Sequence, residues 1–191
     1  MQSKATTHTL GYVGAKPGKR DPLRDSDSWF TPAYVTDKAR AALGGRIDFD
    51  PFSSRDANKT VKARRFLTLA DDALTAPKWA TARTDTVWMN PPYGRDCARA
   101  VERFTAEFRA GKFRAGVVLV NNATDTRWFR GLTDCCTAML LTHGRIGFEN
   151  TDGKAVSGNT RGQAILYFGD DAKAFTDAFS DLGSVWAKVW I

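Results

Sequence analysis

The chain has 191 residues, of which 42% are hydrophobic and 12% aromatic, which fits a single globular domain with a sizeable core and excludes a disordered polymer. No apolar run approaches the roughly 20 residues that span a bilayer. The polar start of the chain is unlike a secretion signal, so we predict a soluble protein of the cytoplasm with no membrane partner. The formal net charge of +7 favours a polyanionic partner such as nucleic acid.

The cysteines and histidines do not form a metal-binding pattern. Cys135 and Cys136 are adjacent, Cys97 lies far from them in the sequence, and His8 and His143 are isolated. We therefore expect no bound metal, and we expect the adjacent cysteines to pack in the core and not to form a disulfide. A zinc-dependent deaminase is excluded on the same ground, because its His-x-Glu and Cys-x-x-Cys signatures are missing.

The first elements in chain order are a polar segment and a helix. Residues 1–27 lack hydrophobic periodicity, and we interpret them as a flexible basic leader that precedes one domain over 28–191. A helix is predicted to begin at Pro32, with Thr31 as its N-cap, and to end at Gly44-Gly45. The other elements predicted before residue 90 are a strand at 46–50, a short helix and strand within 60–70, a turn at 71–74 and a strand at 86–89.

The second half of the chain alternates between helices and strands. Helices are predicted at 95–110, 124–132 and 171–182, and strands at 115–120, 138–141, 163–168 and 184–191. This alternation predicts an α/β fold with a mixed, mostly parallel sheet that carries helices on both faces. In such sheets ligands bind beyond the carboxyl ends of the strands, where Asp50, Asp72 and Asn90 are expected to lie.

The most informative motif is Asn90-Pro91-Pro92-Tyr93, which directly follows the strand predicted at 86–89. Each proline fixes φ at about −65° and lacks an N–H, so the turn is rigid and the Pro91 carbonyl can accept a hydrogen bond from a ligand. The Asn90 side chain adds a second acceptor, and Tyr93 adds a flat ring. These groups suit a planar base with an exocyclic amino group, although a Pro-Pro pair can also be a purely structural turn.

Six motifs in order along the chain resemble those of one family. They are Trp-Phe-Thr-Pro at 29–32, Asp-Pro-Phe at 50–52, Asp-Asp-Ala-Leu at 71–74, Asn-Pro-Pro-Tyr-Gly-Arg at 90–95, Thr-Asp-Thr-Arg-Trp-Phe at 124–129 and Gly-Arg-Ile-Gly-Phe at 144–148. With them, residues 29–168 resemble the phage-type DNA adenine methyltransferases of the Dam family. The resemblance implies a Rossmann-like fold and methyl transfer from S-adenosylmethionine to the exocyclic amino group of adenine in DNA, with S-adenosylhomocysteine as the product.

The resemblance also implies which residues form the site. The catalytic tetrad corresponds to Asn90, Pro91, Pro92 and Tyr93, and the residues that correspond to cofactor-binding elements are Thr31, Pro32, Asp50, Phe52, Asp72 and Asn90. Asp50 would pair with the ammonium group or a ribose hydroxyl of the cofactor, Asp72 would accept from its adenine amino group, and Thr31 would bind its carboxylate. Simple helix capping remains open for Thr31 and for Asp72.

DNA is the expected macromolecular partner, bound as a duplex with the target base flipped out of the stack. The predicted contacts are Arg95, Arg145, Lys154 and Arg161, the last three within a small inserted loop at about 144–162. A solvated hairpin is the alternative for that loop. A protein-glutamine or RNA amine methyltransferase with the same tetrad, and a catalytically degenerate nucleic-acid-binding domain, remain alternative functions. The sequence leaves the target site and the oligomeric state open.

Overall fold

The computed structural model describes residues 30–77, 79, 81–150, 154 and 161–188. The predicted leader, most of the stretch 151–160 and the last three residues of the predicted final strand lie outside these ranges. Within them the helices are α1 (Ala33–Ala42), α2 (Ala57–Val61), α3 (Arg95–Arg109), α4 (Arg127–Thr133) and α5 (Ala172–Phe179). The strands are β1 (Phe49–Asp50), β2 (Arg65–Phe66), β3 (Thr86–Met89), β4 (Ala115–Asn121), β5 (Ala138–Thr142), β6 (Gln163–Phe168) and β7 (Gly183–Ala187).

The described strands form one mixed sheet in the order β2-β1-β3-β4-β6-β5-β7. Strand β1 pairs in parallel with β2 and β3, and β3 pairs in parallel with β4. Strand β6 is antiparallel to both β4 and β5, so β1 to β5 run in one direction and β6 and β7 run in the other. The sequence prediction of an α/β fold with a mixed sheet is therefore confirmed. We call the edge of the sheet at which β1 to β5 end the carboxyl edge.

Helices cover both faces of the sheet. Successive residues of the buried strands point to opposite sides, so apolar side chains lie on both faces and pack against these helices. On one face Trp88, Val117 and Leu119 pack with residues of α1 and α5. On the other face Val87, Met89, Val118 and Val120 pack with residues of α3 and α4. The buried strands β3, β4 and β6 therefore form nearly continuous apolar runs and do not alternate, as expected for strands that are covered on both faces.

One glycine allows α3 to approach the sheet closely. A Cβ atom on Gly116 of β4 would lie 2.6 Å from the ring of Phe104, a fully buried residue of α3. The same ring contacts Phe113 and Phe168, at centroid distances of 5.2 and 4.9 Å. This packing fixes α3 against β4 and so fixes the turn that precedes α3.

The start of α1 differs from the prediction. Pro32 occupies the N-cap position with φ of −64° and ψ of 151°, and Thr31 makes no capping hydrogen bond, so the prediction of Thr31 as the N-cap is wrong. The reason is tertiary: the Thr31 hydroxyl accepts a hydrogen bond from the Asn90 side chain instead. The predicted end is confirmed, because Gly44 and Gly45 adopt φ of +82° and +92°, in the left-handed region that glycine favours.

Other boundaries moved by a few residues. Helix α4 begins at Arg127 and not at residue 124, because the Thr126 side chain caps it by accepting from the Phe129 N–H at 3.3 Å. Helix α5 ends at Phe179, and a single 3₁₀ turn carries the chain on to Leu182. No helix among the described residues is long and apolar enough to cross a membrane.

Candidate active site

The Asn-Pro-Pro-Tyr turn lies at the carboxyl edge, in the middle of the sheet. All four residues of β3 are buried, and the chain leaves the sheet at Asn90 directly after them. The turn ends at Gly94, whose φ of +112° favours glycine and allows α3 to begin at Arg95. A buried strand on one side and a long packed helix on the other therefore hold the motif in place.

Two hydrogen bonds fix the side-chain amide of Asn90. Its Nδ2 donates to Thr31 Oγ1 at 3.2 Å, and its Oδ1 accepts from the Tyr93 hydroxyl at 3.0 Å. An amide oxygen has two lone pairs, so Oδ1 keeps the capacity for one further donor. The Pro91 carbonyl receives no hydrogen bond from another described residue. The turn thus carries two acceptors, the Asn90 side-chain oxygen and the Pro91 carbonyl, and the role predicted for them in binding a base stays a prediction.

Tyr93 lies between the turn and the segment that follows β5. Its ring meets Phe148 edge to face, with a centroid distance of 6.2 Å and an interplanar angle of 76°. Burial is the main reason why the pKa of the Tyr93 hydroxyl is raised well above its usual value, and the electrostatic effect of the neighbouring Cys97 side chain adds to the rise. The hydroxyl therefore stays protonated at neutral pH and can keep donating to Asn90.

Asp50 ends β1, next to β3 in the sheet, and is 2% exposed. Burial raises the pKa of its carboxyl to about 7, against the opposing effect of the Phe52 N–H, which donates to Oδ1 at 3.0 Å. The nearby Ser53 hydroxyl also opposes the rise. However, the buried Ser53 Oγ lies in a geometry that forms no hydrogen bond with Asp50 or with any other described residue. The end of β1 therefore combines a buried carboxyl, bonded to the Phe52 N–H, with a buried hydroxyl that has no hydrogen-bond partner among the described residues.

The long connection between β2 and β3 is tied to the rest of the site. Trp79 is 1% exposed, meets Phe52 edge to face at 6.3 Å, and donates from its indole N–H to the Ala73 carbonyl at 3.0 Å. Arg103 of α3 stacks over the Trp79 ring at 5.4 Å and donates to the Leu74 carbonyl at 3.2 Å. These contacts hold residues 73–74 and Trp79 against both the end of β1 and α3.

Asp72 adopts φ of +43° at the start of this connection and is exposed. Its carboxylate accepts from the Thr75 hydroxyl at 2.6 Å and from the Leu74 N–H at 3.2 Å. The Thr75 hydrogen bond is the main reason why the pKa of Asp72 is lowered. A turn and not a helix follows Asp72, so the alternative of a helix N-cap is wrong. Its carboxylate shapes the turn and stays accessible to a ligand.

The cations predicted to contact DNA are all exposed. Arg95 begins α3 directly after the Asn-Pro-Pro-Tyr turn. Arg145 and Arg161 flank the connection between β5 and β6, which starts and ends at the carboxyl edge. Lys154 lies within that connection, where its backbone N–H and C=O bond to the side chain and backbone of Asn150. Much of the connection lies outside the described residues, but the cations within them share an edge with Asn90.

Sequence reasoning overlooked several residues that shape the site. They are Ser53, Trp79, Arg103, Phe148 and Gln163. The alternation of Ile146 and Phe148 with glycines in a polar stretch was a signal that this segment has a buried side. No signal in the sequence pairs Arg103 with Trp79, because the residues belong to different elements. Among the described residues no group of three His, Cys, Asp or Glu side chains could hold a metal ion.

A sheet whose neighbouring strands β2, β1, β3 and β4 run parallel, with a buried acid ending β1 and an Asn-Pro-Pro-Tyr turn ending β3, defines a Rossmann-like methyltransferase fold. Residues 19–183 match the family model of DNA N-6-adenine-methyltransferase (Dam). The chain therefore belongs to the Dam family of DNA N-6-adenine-methyltransferases, which confirms the resemblance drawn from the motifs. A search of curated proteins gave no match.

Proposed function

We propose that this chain binds S-adenosylmethionine at the carboxyl edge and transfers its methyl group to the exocyclic amino group of an adenine flipped out of duplex DNA. One observation carries the proposal, namely the pair of acceptors at the end of β3. Asn90 Oδ1 is held in place by the bonds to Thr31 and Tyr93, and the Pro91 carbonyl receives no bond from another described residue. Membership of the Dam family supports the same chemistry.

The groups at the end of β1 fit the polar parts of S-adenosylmethionine. Asp50 would accept from its ammonium group or a ribose hydroxyl, and such a donor favours the ionised carboxylate that burial disfavours. The Ser53 hydroxyl has no partner among the described residues, so a bond to the ligand would satisfy it. Thr31, next to Pro32, would donate to the carboxylate of the ligand while it accepts from Asn90.

Phe52 and Asp72 would complete the cofactor site. Phe52 is half-buried against Trp79 and offers an apolar surface beside Asp50. Asp72 is kept ionised by its hydrogen bonds, so it would accept from the adenine amino group of the ligand. The contacts of Trp79 and Arg103 set the position of this turn relative to the end of β1.

When bound, S-adenosylmethionine supplies a methyl group on a positively charged sulfur. The amino nitrogen of the target adenine is a poor nucleophile, because its lone pair is delocalised into the ring. Asn90 Oδ1 and the Pro91 carbonyl would accept hydrogen bonds from its two N–H groups. This favours a pyramidal nitrogen whose lone pair points out of the plane of the ring and is no longer delocalised into it. The gain is one of orientation and electrostatics, and no strong base is needed, since the proton leaves after the attack.

Before the target adenine can enter the site, it must be unstacked and unpaired from the duplex, at a cost of a few kcal/mol. Stacking on Tyr93 would return about 1–3 kcal/mol of that cost. Arg95, Arg145, Lys154 and Arg161 would hold the phosphates on either side, because they are exposed cations along the same edge. We expect these contacts to supply affinity and not base recognition.

The direct test is methylation of duplex DNA that lacks adenine methylation, with labelled S-adenosylmethionine as the donor. Digestion to nucleosides and mass spectrometry should show N6-methyladenine for the wild-type chain and at most about one hundredth of it for Asn90→Ala. Parallel reactions with RNA and with protein extract test the other acceptors. Single-molecule sequencing of DNA from expressing cells would then give the target site.

Two outcomes would contradict the proposal. Transfer to RNA or protein but not to duplex DNA would show that the same turn serves another amine. Calorimetry that detects no binding of S-adenosylmethionine to the wild-type chain would contradict methyl transfer from this donor and favour the alternative of a catalytically degenerate nucleic-acid-binding domain.

A further inference from the structure

The segment from Gly144 to Asn150, which follows β5, forms one wall of the candidate active site. Ile146 and Phe148 are 3% and 2% exposed and belong to the core cluster against which Tyr93 packs. Glu149 forms an isolated antiparallel bridge with Phe30, through backbone bonds of 2.7 and 2.9 Å. The segment therefore joins the start of the described chain to the catalytic turn. We call it the wall segment.

A buried glutamine holds the wall segment in place. Gln163, the first residue of β6, is 1% exposed. Its Oε1 accepts from the Ile146 N–H at 2.9 Å, and its Nε2 donates to the Arg161 carbonyl at 2.6 Å. One side chain thus ties together the two stems of the connection between β5 and β6. A buried amide is costly unless it is bonded, so these two bonds strongly favour a single position of the stems.

The wall segment in turn limits where Tyr93 can lie. The ring of Phe148 meets the ring of Tyr93 edge to face, with centroids 6.2 Å apart. The hydroxyl of Tyr93 donates to Asn90 Oδ1 at 3.0 Å. A continuous series of contacts therefore runs from Gln163 through Ile146 and Phe148 to Tyr93 and Asn90.

We propose that Gln163 and Phe148 are positioning residues that hold the Tyr93 ring in the orientation required for methyl transfer. Neither residue contacts the reacting atoms. Gln163 fixes the wall segment through its bond to Ile146, and Phe148 of that segment packs against the Tyr93 ring on which the flipped base would stack. This inference deepens the proposed function and depends on it for its kinetic consequences, but its structural consequences are independent of activity.

The kinetic test is a double-mutant cycle on the single-turnover rate of DNA methylation, with Phe148→Leu and Tyr93→Ala as the single changes. If Phe148 acts through Tyr93, Phe148→Leu should slow wild-type transfer about tenfold and slow the Tyr93→Ala variant less than about twofold. Affinity for S-adenosylmethionine should stay within about twofold of wild type. An equal slowing in both backgrounds would overturn the proposal.

Phe175→Leu is the matched control. Phe175 is fully buried in the same core cluster, but its ring contacts are with Tyr167 and Phe179. Both changes remove a phenyl ring from one cluster, so they should destabilise the fold to a similar degree. Only Phe148→Leu should show an effect that depends on Tyr93, and the same dependence in Phe175→Leu would indicate a general loss of stability.

A readout that does not need activity uses protein labelled with 3-fluorotyrosine. The chain has four tyrosines, so the fluorine NMR signal of Tyr93 can be assigned from its loss in Tyr93→Phe. In Gln163→Leu and in Phe148→Leu this signal should shift or broaden, while it should be unchanged in Phe175→Leu. An unperturbed Tyr93 signal in folded Phe148→Leu would refute the inference, whereas a wild-type chain that methylates no DNA would refute the proposed function alone.

Discussion

The side-chain amide of Asn90 donates a hydrogen bond to the hydroxyl of Thr31, 59 positions earlier in the chain, at 3.2 Å. Thr31 precedes α1 and is 6% exposed, so the bond is shielded from water. It orients the amide so that Oδ1, and not Nδ2, is available to an incoming amino group. The segment before α1 is therefore bonded to the Asn-Pro-Pro-Tyr turn, although the two are far apart in sequence.

Replacing Thr31 by valine should test this bond with little change in shape. Thr31→Val removes the acceptor for Asn90 Nδ2 and lets the amide turn, so we expect the rate of methyl transfer to fall by about tenfold, the equivalent of a lost hydrogen bond of about 1.4 kcal/mol. Thr31→Ser keeps the hydroxyl and should retain most of the rate. Single-turnover assays of the two variants make the comparison, and equal rates for both would mean that the bond does not matter.

The side chain of Asn90 itself should have a larger effect. Asn90→Ala removes one of the two acceptors, and we expect turnover to fall by at least about two orders of magnitude, the scale of removing one hydrogen bond to the transition state. The change also removes the bonds of Asn90 to Thr31 and Tyr93, so the free energy of unfolding should fall by about 1–3 kcal/mol, which leaves the protein folded. Calorimetry should find that the affinity for S-adenosylmethionine falls far less than the turnover does. Methylation at a near-normal rate would contradict the mechanism.

Tyr93 allows the roles of ring and hydroxyl to be separated. Tyr93→Phe keeps the ring but removes the bond to Asn90 Oδ1, so it should slow transfer less than Tyr93→Ala, which removes both. Since stacking matters only for the flipped base, Tyr93→Ala should reduce turnover more than it reduces duplex affinity. Fluorescence anisotropy with labelled duplex measures the affinity. A parallel loss of affinity and turnover would place Tyr93 in general DNA binding.

Asp50 should make stability depend on pH. Its carboxyl has a pKa raised from 3.8 to about 7 in the folded protein, so the folded state binds the proton more tightly than the unfolded state. At one pKa unit per about 1.4 kcal/mol, stability should decline as the pH rises from about 4 to about 7, by on the order of 4 kcal/mol, and then level off. Asp50→Asn should abolish this decline.

The measurement is urea unfolding of both proteins between pH 4.5 and pH 8. The free energy of unfolding of Asp50→Asn should increase relative to that of the wild-type protein as the pH rises. A difference in unfolding free energy that does not change with pH would mean that Asp50 is not desolvated in solution. Asp72→Asn is the control, because Asp72 is exposed and its pKa is lowered, so it should show no such gain. Asp50→Asn should also weaken S-adenosylmethionine binding far more than it weakens DNA binding.

Charge on the connection between β5 and β6 should govern the salt dependence of DNA binding. Changing Arg145, Lys154 and Arg161 together to glutamine should weaken duplex binding and lower the salt slope by up to about 0.9 for each phosphate that is no longer neutralised. A matched control changes Arg83, Arg109 and Lys112, which are exposed cations next to the opposite edge of the sheet, where β3 and β4 begin. The control variant lowers the net charge by the same amount and should keep most of the salt dependence of duplex binding.

Anisotropy titrations at several salt concentrations distinguish the two triple variants. If the first variant keeps an unaltered slope, the contact surface lies elsewhere, and the basic residues between Lys59 and Arg65 or those of the predicted leader become the candidates. If both variants reduce the slope equally, binding follows net charge and not a defined surface.

Much of this protein could be predicted from its sequence, because the relevant signals are local. The apolar runs of β3, β4 and β6 reveal a sheet covered on both faces, and the three-and-four spacing of α3 reveals the helix that covers it. The prolines of the Asn-Pro-Pro-Tyr turn restrict the backbone whatever surrounds them. The fold class was therefore available from residue types and spacing, and the turn was visible in the sequence, whereas the family was identified from the resemblance of the motifs to those of known members.

Only the tertiary structure decided which partners these residues have. Local rules favour Thr31 as a helix cap, yet its hydroxyl bonds to Asn90, because the two are brought together across the sheet edge. The charge state of Asp50 depends on burial by residues from several elements, and the position of Tyr93 depends on Phe148, 55 positions later. Such contacts join segments far apart in the chain, and their strength depends on distance and desolvation, which no local pattern of residue types encodes.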